Sequence, residues 1–100
     1  MQKLNIGING FGRIGRTLFR LLQEHPNLNV VAINDLADAR TLSHLLKYDS
    51  IHGTSALNIS CDENHIIVND GRIILHNESH PSKINWALTN TDLVVECSGK

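Results

Sequence analysis

Gly10-Phe11-Gly12-Arg13-Ile14-Gly15 stands between an alternating apolar run, Leu4 to Asn9, and a run with helical spacing. A carboxylate, Asp35, follows where a second apolar run ends. Glycines at the first, third and sixth places of a turn between strand and helix, about twenty residues ahead of an acid, form the fingerprint of a dinucleotide site. Each residue type has a physical reason. Gly10 supplies the tight turn out of the strand, Gly12 lacks the Cβ that would hold a pyrophosphate off the backbone, and Gly15 lets the helix lie close on the sheet. The Arg13 and Ile14 amides fall at the helix N-terminus, where unpaired N–H groups and the macrodipole favour an anion without any charged side chain. Asp35 closes Leu28-Asn29-Val30-Val31-Ala32-Ile33-Asn34, and a carboxylate at such a strand end accepts hydrogen bonds from ribose hydroxyls. The alternative, a Gly-rich turn beside an unrelated surface acid, leaves the order strand, turn, helix, acid unexplained. Leu36 and Ala37 stand where an Arg would pair with a 2′-phosphate, so NAD is expected over NADP.

Outward from that turn, Leu4, Ile6 and Ile8 share one face of the first strand. The helix is expected to bury Ile14, Leu18, Leu21 and Leu22, to turn Arg16, Arg20, Gln23 and Glu24 outward, and to end near His25, ahead of Pro26. Parallel strands joined by a crossover helix bring the glycine turn and Asp35 to the same end of the sheet. Asp38 or Thr41 is expected to cap a short helix reaching Leu45 or Leu46, followed by a loop from Tyr48 to Gly53. Ala56–Cys61, His65–Asn69 and Arg72–His76 read as short strands, the last two joined by an Asn69-Asp70-Gly71 hairpin turn. Ser82 can cap a turn containing Ile84 and Trp86. Asp92-Leu93-Val94-Val95-Glu96-Cys97-Ser98-Gly99 reads as a buried strand with a small-residue end, placed beside the first strand at the switch point of the sheet. The fold class is therefore α/β: a Rossmann-type, doubly wound, mostly parallel sheet with a β-hairpin insertion. Its 100 residues hold little more than one of the two βαβαβ halves. Residues 1–100 are expected to be the N-terminal part of a dinucleotide-binding domain, the first half of an incomplete sheet.

Nine basic residues against ten acidic ones, a net charge of −1 and 41% hydrophobic residues describe ordinary globular material, without the basic footprint of a nucleic-acid binder. There is no N-terminal signal pattern and no apolar run of membrane-span length, so a cytoplasmic location without membrane contact is expected. Cys61 and Cys97 lack metal-ligand spacing and read as free thiols. The six histidines fall on different elements, and no metal is expected.

Five stretches carry a family resemblance: Asn9-Gly10-Phe11-Gly12-Arg13-Ile14-Gly15-Arg16; Val31-Ala32-Ile33-Asn34-Asp35; Leu45-Leu46-Lys47-Tyr48-Asp49-Ser50 with His52-Gly53; Ile84-Asn85-Trp86; and Val94-Val95-Glu96-Cys97-Ser98-Gly99. Together they resemble the N-terminal part of glyceraldehyde-3-phosphate dehydrogenases, over the whole chain. Phosphate binding alone does not demand the Phe, the Arg-Ile pair or the flanking Asn and Arg. Erythrose-4-phosphate dehydrogenases are similar around Leu36-Ala37-Asp38-Ala39 and His44-Leu45-Leu46-Lys47-Tyr48-Asp49. The resemblance implies a NAD-binding domain followed by a catalytic domain, usually in a homotetramer. It also implies oxidation and phosphorylation of a small aldehyde phosphate through a cysteine thioester, helped by a histidine, with hydride passing to NAD.

Residue by residue, the resemblance places Asn9, Gly10, Gly12, Arg13 and Ile14 around the pyrophosphate, Asn34 and Asp35 at the adenosine, and Ser98 with Gly99 beside the cofactor. Phe11 and Gly15 complete the cofactor loop. The family's adenine segment has an Arg before an acid and a Pro, whereas this chain reads Glu78-Ser79-His80-Pro81, so no adenine contact is carried over to Ser79. No catalytic residue is expected here. Cys97 lacks the Ser and Thr-Thr-Asn that flank the family's nucleophile, and a cysteine at a buried strand end is more often packing than chemistry. The chain alone is therefore expected to be inactive on aldehydes. A stand-alone nucleotide-binding or interaction module is the other reading, and a downstream Ser-Cys-Thr-Thr-Asn segment would decide between the two.

Overall fold

The computed structural model describes residues 3–51, 58–69 and 71–98. Strand β1, Leu4–Asn9, enters the glycine turn and leaves it as helix α1, Arg13–Leu22. Strand β2, Leu28–Asn34, then lies parallel to β1, with Asn9 level with Asn34. Helix α2, Ala39–Ile51, follows. After it come the short strands β3, Ile59–Cys61, β4, His65–Val68, and β5, Gly71–His76. Two 3₁₀ turns, Pro81–Lys83 and Trp86–Thr89, lead to β6, Leu93–Glu96. All six strands form one sheet in the order β3-β4-β5-β2-β1-β6.

β5, β2, β1 and β6 are mutually parallel, and β3 and β4 extend the sheet antiparallel. The hairpin strands are thus part of the main sheet. Asn69 takes a left-handed φ of 48° at the β4–β5 turn, as the Asn-Asp-Gly reading requires, though Asp70 lies outside the described residues. β6 flanks β1 on the side opposite β2, which makes the gap at the end of β1 the switch point of the sheet. Both faces of β1 are covered. Ile6 and Ile8 are buried with Phe11, Phe19 and Leu22, while on the other face a Cβ on Gly7 would come within 2.7 Å of the Trp86 ring.

The buried face of α1 differs from the sequence expectation. Gly15, Phe19 and Leu22 are buried and Leu18 is partly so, whereas Ile14 is 70% and Leu21 55% exposed. The cause is Gly15, since a Cβ there would strike the Gly10 carbonyl oxygen. The helix must turn Gly15 onto the loop, and residues four and seven further on then face the sheet. Arg16 is likewise not an outward residue: its side chain is only 12% exposed and its Nε donates to Asp49 at 2.6 Å. Asp49 also pairs with Arg20 at 3.3 Å, so α2 is tied to α1. That tie falls in the stretch expected to be loop, and α2 runs through Tyr48 and Asp49 to Ile51. Asp38 caps α2 by accepting from the Thr41 amide at 2.8 Å. His52 and Gly53, and the start of the strand expected from Ala56, lie outside the described residues.

Candidate functional site

The carboxyl ends of β1, β2 and β6 surround a cleft of about 320 Å³, bounded by the glycine loop, by Asp35 and Leu36, by Glu78 and Ser79, and by Cys97 and Ser98. The three loop glycines answer to different demands. Gly10 has φ +96°, and a Cβ there would lie 2.6 Å from the Ser98 backbone. The fold itself requires that glycine, as it requires Gly15. Around Gly12, by contrast, a Cβ would meet nothing within 4 Å, and its backbone is extended. No neighbour in the protein forbids a side chain at Gly12; what a side chain would occupy is the open space beside the cleft.

Gly12 is also the N-cap of α1, with no side-chain cap and no acid in the first helical turn. No acid of α1 itself answers the positive end of the helix, which suits an anion. Arg13 and Ile14 begin this helix with exposed side chains. Phe11 does not offer its ring to the cleft: it is fully buried, edge-on to Phe19 with centroids 5.8 Å apart. Its peptide group is held at both ends. The amide donates to Asp35 Oδ2 at 2.8 Å, and the carbonyl accepts from Arg16 Nη1 at 3.2 Å. Asp35 Oδ1 accepts from the Ala37 amide at 3.0 Å. Asp35 thus fastens the glycine loop to the end of β2 while bordering the cleft. Each of its oxygens keeps acceptor capacity beyond the one bond described.

Asn9 and Asn34 are buried side by side. The Asn34 amide nitrogen donates to Asn9 Oδ1 at 2.8 Å and to the Glu78 carbonyl at 3.0 Å, and its Oδ1 accepts from the Glu78 amide at 2.9 Å. Asn9 Nδ2 donates in turn to Glu96 Oε2 at 2.7 Å, and Glu96 Oε1 accepts from the amide and the hydroxyl of Ser98. A polar relay therefore crosses beneath the cleft, from the segment after β5 to the end of β6. Gly99 lies outside the described residues.

Four cleft residues were not assigned from sequence: Leu36, Glu78, Ser79 and Cys97. Glu96, which orients two of the assigned positions, was also missed; an acid between a strand and its small-residue end was the one available signal. Burial, and after it the Glu96 charge, pushes the Cys97 thiol above its ordinary range, opposite to what a nucleophile needs. Cys61 and Cys97 are both free thiols. Among the described residues no three His, Cys, Asp or Glu groups converge to hold a metal, and no helix is long and apolar enough to cross a membrane.

The model of the family described as glyceraldehyde 3-phosphate dehydrogenase, NAD binding domain, matches residues 4–100. The glyceraldehyde-3-phosphate dehydrogenase of Geobacillus stearothermophilus is 47% identical over 97 residues, covering 97% of this chain and 29% of that protein. Glyceraldehyde-3-phosphate dehydrogenase 1 of Bacillus cereus is 50% identical over 95 residues, covering 95% of this chain and 28% of the relative. The glyceraldehyde-3-phosphate dehydrogenase of Thermotoga maritima is 46% identical over 96 residues, 94% of this chain and 29% of its own length. The chain spans less than a third of these relatives. With the glycine loop, the parallel β5-β2-β1-β6 core and a family match over nearly its whole length, the chain belongs to the glyceraldehyde-3-phosphate dehydrogenase NAD-binding-domain family.

Proposed function

We propose that this chain holds NAD for an aldehyde-phosphate dehydrogenase, and that the protein it belongs to oxidises glyceraldehyde 3-phosphate. The observation that carries the reading is the pairing of an uncapped helix N-terminus with open space at Gly12, on the same cleft as Asp35. The residues fit the cofactor. Gly10, Gly12, Arg13 and Ile14 would hold the pyrophosphate through backbone amides, Asp35 the adenosine ribose, and Ser98 the far side of the cleft; Gly99 is assigned to the cofactor by the family resemblance alone. Asn9 and Asn34 line the cleft and set the loop and strand ends through their side-chain bonds, and Phe11 and Gly15 pack the loop onto the sheet. Bound NAD supplies a hydride acceptor. What this chain contributes is binding, orientation and the choice between cofactors; no residue here is assigned a proton or a nucleophilic attack.

Asp35 supports a preference for NAD. A 2′-phosphate beside it would meet a like charge at a cost of about 4 kcal/mol per pair at 4 Å and an effective dielectric of 20, less where solvent enters. A hundredfold preference or more is the order of magnitude expected. Calorimetric titration of NAD and NADP tests the reading: tight NAD with weak NADP is expected, and equal affinities would overturn it.

The relatives' names support glyceraldehyde 3-phosphate as the substrate of the whole protein. The two free thiols support a reducing, cytoplasmic setting. Assembly into a homotetramer is supported by the family resemblance.

A further inference from the structure

We propose that Glu96 is a positioning residue that sets the direction of the hydrogen-bond relay beneath the cofactor cleft, and through it the way Asn9 and Ser98 face a bound dinucleotide. The inference deepens the NAD reading and rests on it. Glu96 shares one carboxylate between two neighbours: Oε2 accepts from Asn9 Nδ2 at 2.7 Å, and Oε1 accepts from the Ser98 amide at 3.0 Å and from its hydroxyl. An ionised carboxylate only accepts. Asn9 must therefore turn its NH₂ group to Glu96 and its oxygen to Asn34, whose own NH₂ fills that oxygen at 2.8 Å. Asn34 Oδ1 is then the group left for the Glu78 amide, which it meets at 2.9 Å. One acid at the end of β6 thus dictates two amide orientations as far as the segment after β5.

Ser98 follows the same logic. Its hydroxyl proton is committed to Glu96, so its Oγ offers only lone pairs. The matching ligand group is a hydrogen-bond donor, such as a sugar hydroxyl, and not a phosphate oxygen, which the nearby carboxylate would also repel. The pyrophosphate is left to the helix N-terminus, where the charge favours it.

A reversed pair tests the relay. In Glu96→Gln, the new NH₂ group faces the Asn9 NH₂ group as long as Oε1 keeps its two Ser98 donors, and two donors then confront each other. In Asn9→Asp, two carboxylates confront each other. In the double variant the Gln donates to the Asp, Asn34 still donates to position 9, and Ser98 still finds an acceptor. Calorimetric titration of NAD into the full chain is expected to give at least about tenfold weaker binding for each single variant. The double variant is expected to return to within about threefold of wild type, because every donor again has an acceptor. Ser98→Ala, which leaves the relay intact, should weaken NAD by about three- to tenfold through the lost acceptor.

An unchanged affinity in Glu96→Gln, or a double variant no better than the sum of the singles, overturns the proposal; an unchanged affinity in Ser98→Ala overturns the assignment of the hydroxyl. Thermal melting of the same four relay proteins separates the two readings. If wild type binds no NAD, the cofactor reading fails, and recovery of the melting temperature in the double variant still decides whether Glu96 directs the relay.

Discussion

Gly10 and Gly12 are two residues apart in one loop, yet the structure gives them opposite reasons for being glycine. At Gly10, a side chain would need a left-handed backbone and would press on Ser98, so Gly10→Ala is expected to lose at least about 1–2 kcal/mol of stability by urea unfolding. At Gly12 nothing in the protein resists a methyl group. Gly12→Ala should unfold within about 0.5 kcal/mol of wild type, while its NAD affinity falls by about tenfold as the pyrophosphate is held off. A Gly12→Ala variant that binds NAD normally would remove the case for a ligand at that position. Asp35 has a double part, since its carboxylate accepts from the Phe11 and Ala37 amides as well as bordering the cleft. Asp35→Gly should therefore narrow the gap between NAD and NADP and also lose about 1.5–3 kcal/mol of stability, because the loop loses a charged anchor. Titration of both cofactors and urea unfolding on the one variant separate the two effects.

At the scale of elements, α1 illustrates how one contact selects a helix face. Apolar residues occur around much of α1, and periodicity alone does not choose among them. Contact between Gly15 and the glycine loop does. Phe19→Ala should cost about 3–5 kcal/mol, as for a fully buried aromatic, whereas Leu21→Ala should stay within about 0.5 kcal/mol. Equal losses in urea would restore the face expected from sequence. The tie between α1 and α2 is ionic and mostly buried, with Arg16 12% and Asp49 23% exposed. Asp49→Asn is expected to lose about 1.5–3 kcal/mol, because the Arg16 and Arg20 guanidinium groups keep their burial and lose their countercharge.

For the whole molecule, the pH dependence of stability should carry the signature of His76. This ring lies edge-on to Trp86 at 5.7 Å, its Nε2 is buried without a hydrogen-bond partner, and burial holds its pKa below the ordinary 6.5. The folded protein thus prefers the neutral ring, and the unfolded chain takes up its proton first. Stability from this group is complete above about pH 6.5 and is lost as the pH falls from there through the lowered folded value. Melting temperatures should drop between about pH 7 and pH 5, and His76→Phe should flatten that part of the profile. Asp38 and Asp62 act at lower pH. The amides of Thr41 and Asn64 hold their carboxyls below the ordinary 3.8, so what they add is present above that value and lost as the pH falls through the lowered ones.

The strand before the glycine turn, the helix after it, the acid at the end of β2, a cap at Asp38 or Thr41 and the Asn69 turn were all legible in the sequence. Each depends on residues within a few places of one another, where periodicity and backbone sterics act alone. The family was legible for the same reason, since its motifs are short and local. Tertiary structure decided what depends on distant partners. Asp49 extends α2 because Arg16 lies across from it, and Asn9 meets Glu96 across 87 positions of chain and Asn34 meets Glu78 across 44. Trp86 closes over Gly7 because the sheet sets them face to face. Such contacts follow from how strands are ordered and how a helix is turned, and a hydrophobic pattern carries no record of which polar group will stand opposite another once the sheet has closed.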